Sequence, residues 1–236
     1  DNIDRALSVS YDGCQNFDPK PMIPADEAKG SHADFHAMWI KPKDAQHFII
    51  GGDGGLGITY DHGASWYFPE NIPVAQFYHI NVDYDTPFNV YGGMQDNGNW
   101  SGPAYTWKRG GIRTLYWQYL VGGDGFYISP DKGNSRFGFG TSQNGDLYRY
   151  DKVSGYYQSI APQSTEIDAP LRFNWNAGFA KDPHDDHTVY YGSQYVHQSV
   201  DKGANWTIIS PDLSTNNPEH QKGDYGGLTL DISGAE

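Results

Sequence analysis

Apolar residues occur along the chain in short runs that are separated by turn residues. The run Phe48-Ile49-Ile50 is typical, because it follows the turn at Lys43-Asp44 and ends at a glycine. The same order of turn, β-branched or aromatic run and glycine recurs three more times, with the runs ending at Gly92, Gly140 and Gly192. Short apolar runs bounded by Gly, Pro and Asp predict strands joined by tight turns, so we expect an all-β fold without long helices or membrane-spanning segments.

A second repeated motif is Ser/Thr-x-Asp followed by a glycine-containing turn and an aromatic residue. We expect the aspartate to accept hydrogen bonds from the turn's own amides, the glycine to adopt a positive φ, and the aromatic ring to pack beneath the turn. Three copies and a weaker one at Asp151 supply these structural residues: Ser10, Asp12, Thr59, Asp61, Trp66, Asp151, Ser199, Asp201 and Trp206. Cys14 replaces the second turn glycine of the first copy.

The spacing of the motif predicts the fold. Its four aspartates are separated by 49, 90 and 50 residues, so the middle interval holds two units and one of them, around residues 102–114, has lost the motif. A period of about 45–50 residues suits the four-stranded antiparallel blade of a β-propeller. We therefore predict about four complete blades, with their first strands at 37–41, 78–82, 125–129 and 177–181. The two ends could pair to close a five-bladed ring, but that blade would lack its second strand, so we favour a segment of a larger propeller.

The predicted organisation is a single propeller segment covering residues 1–236. It is divided into the end of a preceding blade (1–30), four blades (31–75, 76–120, 121–170 and 171–215) and the start of a following blade (216–236).

Composition narrows the classes of partner. The chain has 29 acidic and 16 basic residues and a net charge of −13, so its overall field repels nucleic acid and anionic membranes. Cys14 is its only cysteine, which excludes an internal disulfide framework and a cysteine-based zinc site.

Six stretches, at residues 32–40, 51–55, 76–79, 91–98, 122–125 and 172–176, follow each other in a specific order. In that order they resemble bacterial Asp-box (BNR-repeat) proteins, which are related to the sortilin/Vps10 propeller and are often labelled glycosyl hydrolases. The resemblance covers nearly all of the chain. It implies a secreted, periplasmic or cell-surface protein, and because members of the family are much longer, it implies that this chain is a piece of a longer one.

Catalysis by such a fold would need paired carboxyl groups. Loops that enter the first strand of a blade and loops that join its second and third strands open on the same face, and four of them carry the candidate catalytic residues Asp34, Asp53, Asp96 and Asp124. Glycoside hydrolysis uses two carboxyl groups separated by about 5–5.5 Å or about 6.5–9.5 Å. Alternatively, these aspartates hold their own glycine-rich loops through Asx turns.

The same loops are rich in amides, imidazoles and aromatic rings, a mixture that suits a glycan or a peptide. The candidate ligand-binding residues are His32, His36, Gln76, Tyr78, His79, Gln95, Asn97, Trp100, Arg113, Arg172, Asn174, Trp175 and Asn176. His32, Asp34 and His36 alternate as on one side of a strand, which suits a metal site or, as we prefer, a hydrogen-bonded histidine pair. No metal site or other cofactor is predicted, although the glycine-rich loops allow a structural calcium ion.

Two functions follow from these residues. The first is a propeller that binds, and in an enzymatic form hydrolyses, a polysaccharide or glycoconjugate with a pair of aspartates. The second is a non-catalytic, sortilin-like propeller that binds a peptide or a protein partner. Whether the chain is an enzyme stays open, and its remaining predicted partners are the other blades of a longer chain.

Overall fold

The computed structural model describes residues 7–18, 22–23, 34–69, 71–72, 74–163 and 170–218. It divides into two compact units, Asp1–Val74 and Ala75–Glu236, which are treated separately. His32 and most of the predicted start of a following blade lie outside the described residues. Among the residues that the structure describes, none forms a helix with the length and hydropathy needed to cross a bilayer.

The first unit contains a three-stranded antiparallel sheet in the order β1-β2-β3. Its strands are β1 (Phe35–Ile40), β2 (Phe48–Gly52) and β3 (Gly55–Thr59). A single bridge between Ile58 and Tyr67 extends the sheet beyond β3. Phe48 and Ile50 of β2 are buried in one cluster with Ile23, as expected for the alternate residues of a strand that face a core.

The second unit contains three four-stranded antiparallel sheets, and in each of them consecutive strands are neighbours. The sheets are β4 (His79–Val82), β5 (Asn89–Met94), β6 (Gly98–Pro103) and β7 (Gln118–Val121); β8 (Ile128–Asp131), β9 (Asn134–Thr141), β10 (Leu147–Asp151) and β11 (Tyr156–Ser159); and β12 (Phe179–Lys181), β13 (Val189–Gly192), β14 (Val196–Ser199) and β15 (Thr207–Ile208). Successive up-and-down sheets of this kind are the blades of a β-propeller, which confirms the predicted fold class.

Two apolar clusters lie between these three sheets. The first joins the sheet of β4–β7 to that of β8–β11 through Tyr91, Leu120, Val121, Ile128 and Tyr150. The second joins the sheet of β8–β11 to that of β12–β15 through Phe139, Leu147, Ala177, Val189 and Tyr191. The bulky aromatic side chains therefore fill the space between stacked blades, which is the role expected of them.

Each blade of the second unit has two edges, which lie at opposite ends of its strands and carry different connections. The upper edge carries the segment that enters the first strand and the loop that joins the second and third strands. It is formed by residues 76–78, 95–97, 122–127, 142–146, 172–178 and 193–195. The lower edge carries the first-to-second and third-to-fourth connections, such as the turns at Asp151 and Asp201.

The three full Ser/Thr-x-Asp turns have the same hydrogen bonds. Oδ1 of Asp12 accepts the backbone N–H of Asn16 at 2.9 Å, and its Oδ2 accepts the side-chain amide of the same residue at 2.6 Å. Asp61 with Ser65, and Asp201 with Asn205, repeat this pair of bonds. The bonds from Asn16 lower the pKa of Asp12 to about 2. The predicted turn chemistry is thus present in all three copies.

The aromatic residue after each of two turns anchors it to a preceding segment. The indole N–H of Trp66 donates to the carbonyl oxygen of Met22 at 3.1 Å, and that of Trp206 donates to the carbonyl oxygen of Ile160 at 2.7 Å. Gly203 has a φ of 89° and sits directly over the Ile160 side chain, so a side chain there would be both strained and crowded. This explains why the turn requires glycine.

One expectation about local structure was wrong. The first strand of the third predicted unit begins at Ile128 rather than at residue 125, because residues 125–127 form part of the upper-edge loop and Gly125 donates its N–H to the carbonyl oxygen of Met94 at 2.8 Å.

The turn at Asp151 keeps part of the motif, as expected of a weaker copy. Its Oδ1 accepts the backbone N–H of Val153 at 3.0 Å, and Gly155 has a φ of 73°. Gly155 has no side chain to bond the carboxylate, which instead accepts two hydrogen bonds from the guanidinium of Arg136, at 2.7 and 2.6 Å.

Candidate functional site

Asp124 ties together three upper-edge loops of the second unit. Its Oδ1 accepts the backbone N–H of Asp96 at 2.9 Å, and its Oδ2 accepts the indole N–H of Trp175 at 3.0 Å. Its own backbone N–H donates to Oε1 of Gln143 at 2.7 Å. Both carboxylate oxygens are therefore engaged in holding together loops from three successive blades. The role is structural, but it differs from the expected Asx turn, because both donors belong to the loops of other blades.

An aromatic cluster lies beside Asp124. Phe126 is completely buried and packs against Tyr78 and Trp175, with ring centroids 5.0 and 4.9 Å apart. Tyr78 and Trp175 meet edge to face at 5.8 Å. Edge-to-face contacts of this kind stabilise the mutual orientation of the rings. The Tyr78 ring remains 43% exposed, so the cluster presents one fixed aromatic surface to solvent.

Polar side chains occur at Tyr78 and at the residues that follow Tyr78 and Trp175 in sequence. The Tyr78 hydroxyl donates to Oε1 of Gln95 at 2.6 Å. Burial raises the pKa of this phenol above its ordinary value, and the carboxylates of Asp124 and Asp96 add to the effect, so the hydroxyl stays a donor at neutral pH. The side chains of His79 and Asn176 are exposed and lie 3.3 Å apart, between the Nε2 and Nδ2 atoms. Together these groups can exchange hydrogen bonds with a polar ligand that covers the ring.

A pair of glutamines supports this surface, and sequence reasoning missed one of them. Oε1 of Gln143 accepts the N–H of Asp124, and Oε1 of Gln194 accepts the N–H of Arg172 at 2.8 Å. Both glutamines follow a serine just after the second strand of their blade, 51 residues apart. This interval matches the blade period, so the recurring Ser-Gln pair was the signal that could have identified Gln194.

The first unit holds the other two candidate carboxylates. Oxygens of Asp34 and Asp53 lie within 4.8 Å of each other, which is close to the separation of about 5–5.5 Å typical of retaining glycosidases. Oδ1 of Asp53 lies 2.8 Å from Nε2 of His36, and both aspartates are exposed. His36 therefore has Asp53 as a hydrogen-bond partner, and its expected pairing with His32 stays a prediction because His32 lies outside the described residues.

Arg113 was predicted to belong to the same surface as Gln95, and this was wrong. It lies in the connection between β6 and β7, which starts at the lower edge of its blade, whereas Gln95 follows β5 at the upper edge. The reason is topological, because antiparallel strands place the β5–β6 and β6–β7 connections at opposite ends.

Three other predicted ligand residues have structural contacts. Nη2 of Arg172 donates to Oγ of Ser214 at 2.7 Å, and the Trp100 indole donates to the carbonyl oxygen of Asn97 at 2.6 Å. The side-chain amide of Asn97 donates to the carbonyl oxygen of Gln95 at 3.0 Å. Gln76 and Asn174 are exposed at the upper edge. A ligand role for these residues, and a structural calcium ion, stay predictions.

No protein-family model matches the chain, and no curated protein matches it either. Among solved structures, it is similar to the GH74 xyloglucanase from Xanthomonas campestris, with 16% identity, a TM-score of 0.39, and coverage of 76% of this chain and 30% of that one. It is also similar to YCF48 bound to D1 peptide, with 12% identity, a TM-score of 0.39, and coverage of 88% and 62%. A protein of unknown function from Bacteroides thetaiotaomicron shows 13% identity, a TM-score of 0.40, and coverage of 78% and 46%. The chain thus spans less than two thirds of each of these proteins.

Proposed function

We propose that the upper edge of the second unit binds a neutral glycan, with Tyr78 as its stacking platform. The observation that carries this proposal is the half-exposed Tyr78 ring, which is fixed by Trp175 and Phe126 and whose hydroxyl bonds to Gln95. The exposed pair His79 and Asn176 follows Tyr78 and Trp175 directly in sequence. Sugars present apolar ring faces that stack on aromatic side chains and hydroxyl groups that pair with amides and imidazoles. This combination fits such a ligand better than it fits an extended apolar peptide.

The surface around Tyr78 fits ligand binding better than it fits glycoside hydrolysis. Hydrolysis requires a carboxyl group that can donate a proton to the glycosidic oxygen and a second carboxylate that acts as nucleophile or base. Both oxygens of Asp124 already accept hydrogen bonds from Asp96 and Trp175. A carboxylate whose two oxygens are both engaged in this way holds the loops together, which opposes a role as general acid.

The first unit carries a second candidate function, which is hydrolysis by the pair Asp34 and Asp53. It is favoured by one specific observation, the approach of their oxygens to within 4.8 Å. The exposure of both side chains opposes it, because a general acid needs a pKa raised by burial. Separate Asp34→Asn and Asp53→Asn variants should leave reducing-sugar release from soluble polysaccharides unchanged if the unit only binds, whereas loss of activity in both would establish hydrolysis.

Affinity electrophoresis tests the binding proposal. The protein is run through gels that contain soluble xyloglucan, mixed-linkage β-glucan or galactomannan, and its retardation gives a dissociation constant for each polymer. Tyr78→Ala should weaken binding about tenfold, since one well-placed aromatic contact contributes about 1–2 kcal/mol. Tyr156→Ala removes a comparably exposed tyrosine that begins β11 at the lower edge, and it should leave the retardation unchanged.

The alternative partner is a peptide, as in the sortilin-like interpretation. If no gel retards the wild-type protein while a random peptide library selects sequences whose binding requires Tyr78, the surface is a peptide site and the glycan proposal is wrong. Membership of the Asp-box family, and a secreted, periplasmic or cell-surface location, are part of the proposal. They are supported by the three equivalent turns at Asp12, Asp61 and Asp201.

A further inference from the structure

The connection between β6 and β7 exposes large apolar side chains at the lower edge of its blade. Residues 104–117 stand where other blades have a short Ser/Thr-x-Asp turn. Trp107 is 88% exposed, Leu115 72% and Tyr105 50%, and Ile112 is exposed as well. Soluble surfaces carry single exposed apolar residues, but four large ones within eleven residues indicate a contact surface.

The same loop is the most cationic part of an acidic chain. Lys108, Arg109 and Arg113 are all exposed, and no acidic residue occurs in the sequence between Asp96 and Asp124. Three of the 16 basic residues therefore lie in a stretch that contains none of the 29 acidic ones. None of the three forms an ion pair with another described residue. The charge of the loop is thus available to an anionic partner.

The base of the loop is held in place. Trp117 packs against Gly102 at the end of β6 and stacks on Phe77, with ring centroids 6.2 Å apart. Farther out, the Lys108 ammonium lies over the Tyr116 ring, 5.0 Å from its centroid, and joins the two limbs of the loop. Trp107 directly precedes Lys108 and Leu115 directly precedes Tyr116, so this contact brings together the two chain segments that carry the most exposed apolar residues of the loop.

We propose that this loop docks the protein on an anionic phospholipid surface. Trp and Tyr favour the interfacial region of a bilayer, aliphatic side chains enter its acyl boundary, and Lys and Arg pair with phosphate headgroups. An acidic polysaccharide would use the aromatic rings and the cations, but it would leave Ile112 and Leu115 in water. A phospholipid surface covers every exposed group of the loop.

The negative charge of the whole chain does not prevent this contact. At physiological ionic strength the Debye length is about 8 Å, so only charges near the contact act strongly on the headgroups. Within the loop itself those charges are positive. Of the two aspartates in the β4–β5 connection at the same edge, Asp83 is buried and Asp85 accepts a hydrogen bond from the hydroxyl of Ser135. The proposal is independent of glycan binding, because the loop starts and ends at the lower edge and Tyr78 lies at the upper edge.

Vesicle flotation with the full chain tests the proposal. Vesicles of 30% phosphatidylglycerol in phosphatidylcholine should carry the protein at 50 mM salt, pure phosphatidylcholine should carry much less, and 500 mM salt should release it. Replacing Lys108, Arg109 and Arg113 with Gln should weaken binding about 100-fold, since each cation near the surface contributes about 1 kcal/mol. Val200→Ser is the control, because Val200 is 64% exposed at the lower edge and its sequence neighbours are Ser199 and Asp201 rather than cations.

A fluorescence readout separates docking from unfolding. Brominated phosphatidylglycerol quenches indoles that enter the bilayer, so the wild-type protein should be quenched and Trp107→Phe should still float but lose most of that quenching. Absence of flotation on the anionic vesicles at low salt would overturn the proposal. So would retardation by polygalacturonate gels that disappears in the Gln variant while the vesicles carry nothing. Quenching that persists in Trp107→Phe would equally contradict docking through this loop.

Discussion

Replacing Asp124 with Asn separates a structural role for this carboxylate from a catalytic one. In the structure its two oxygens accept the N–H of Asp96 at 2.9 Å and the indole N–H of Trp175 at 3.0 Å. An amide has only one oxygen, so one of the two donors would face an NH2 group. Because a hydrogen bond to a charged group contributes about 1.5–3 kcal/mol, the free energy of unfolding should fall by about that amount.

Urea unfolding of a double-mutant cycle measures this effect. For a chain of this size the loss corresponds to a fall in Tm of about 3–12 °C. Trp175→Phe removes the indole N–H but keeps an aromatic ring, so the double variant should lose less than the sum of the single losses, with a coupling of about 1 kcal/mol. Asp146→Asn is the control, because the Tyr148 hydroxyl donates to that carboxylate at 3.0 Å at an exposed position. Additive losses, or unchanged stability in Asp124→Asn, would refute the reasoning.

Two further substitutions test structural residues outside the candidate site. Burial raises the pKa of Asp131, but hydrogen bonds from Arg149 and Lys202 outweigh burial and hold that pKa below its ordinary value. This stabilisation is therefore complete above about pH 4 and is lost as the pH falls further. Asp131→Asn should cost about 3–5 kcal/mol at pH 7 in urea unfolding, and the difference from wild type should shrink below pH 4. Cys14 has a φ of 69° where the other turns have glycine, so Cys14→Gly should raise Tm in a thermal melt by a few degrees.

The blade architecture could be predicted because its signals are local and periodic. Each Ser/Thr-x-Asp turn encodes its own geometry, since the aspartate bonds to a residue four positions later, as Asp201 does with Asn205. The interval between copies then counts the blades. The same reasoning covers only part of the turn at Asp151, whose Oδ1 accepts the N–H of Val153 but whose carboxylate also bonds to Arg136 on the neighbouring strand. That partner lies 15 residues away, and the sequence motif contains no information about it.

The candidate site was only partly predictable, because its contacts cross from one blade to another. Tyr78, Trp175 and Asp124 were each recognised as upper-edge residues from their place in the repeat. Their convergence, with Phe126 buried between the two rings, depends on the packing of three successive blades. Residue type alone therefore suggested catalysis for an aspartate whose carboxylate holds the loops together.

The lower edge shows why one blade can carry an unusual loop without losing its fold. In two other blades the lysine after the turn aspartate reaches back to a buried aspartate of the preceding blade, as Lys202 does to Asp131 at 2.8 Å. Lys152 lies 3.9 Å from Asp83 in the same way. Asp83 therefore receives its lysine from the next blade, and the blade of β4–β7 keeps this contact although its own third-to-fourth connection lacks the motif. Trp117 packs on Gly102 at the base of the loop. The blade therefore does not depend on a Ser/Thr-x-Asp turn at this position, and the outer residues of 104–117 can contact a partner instead.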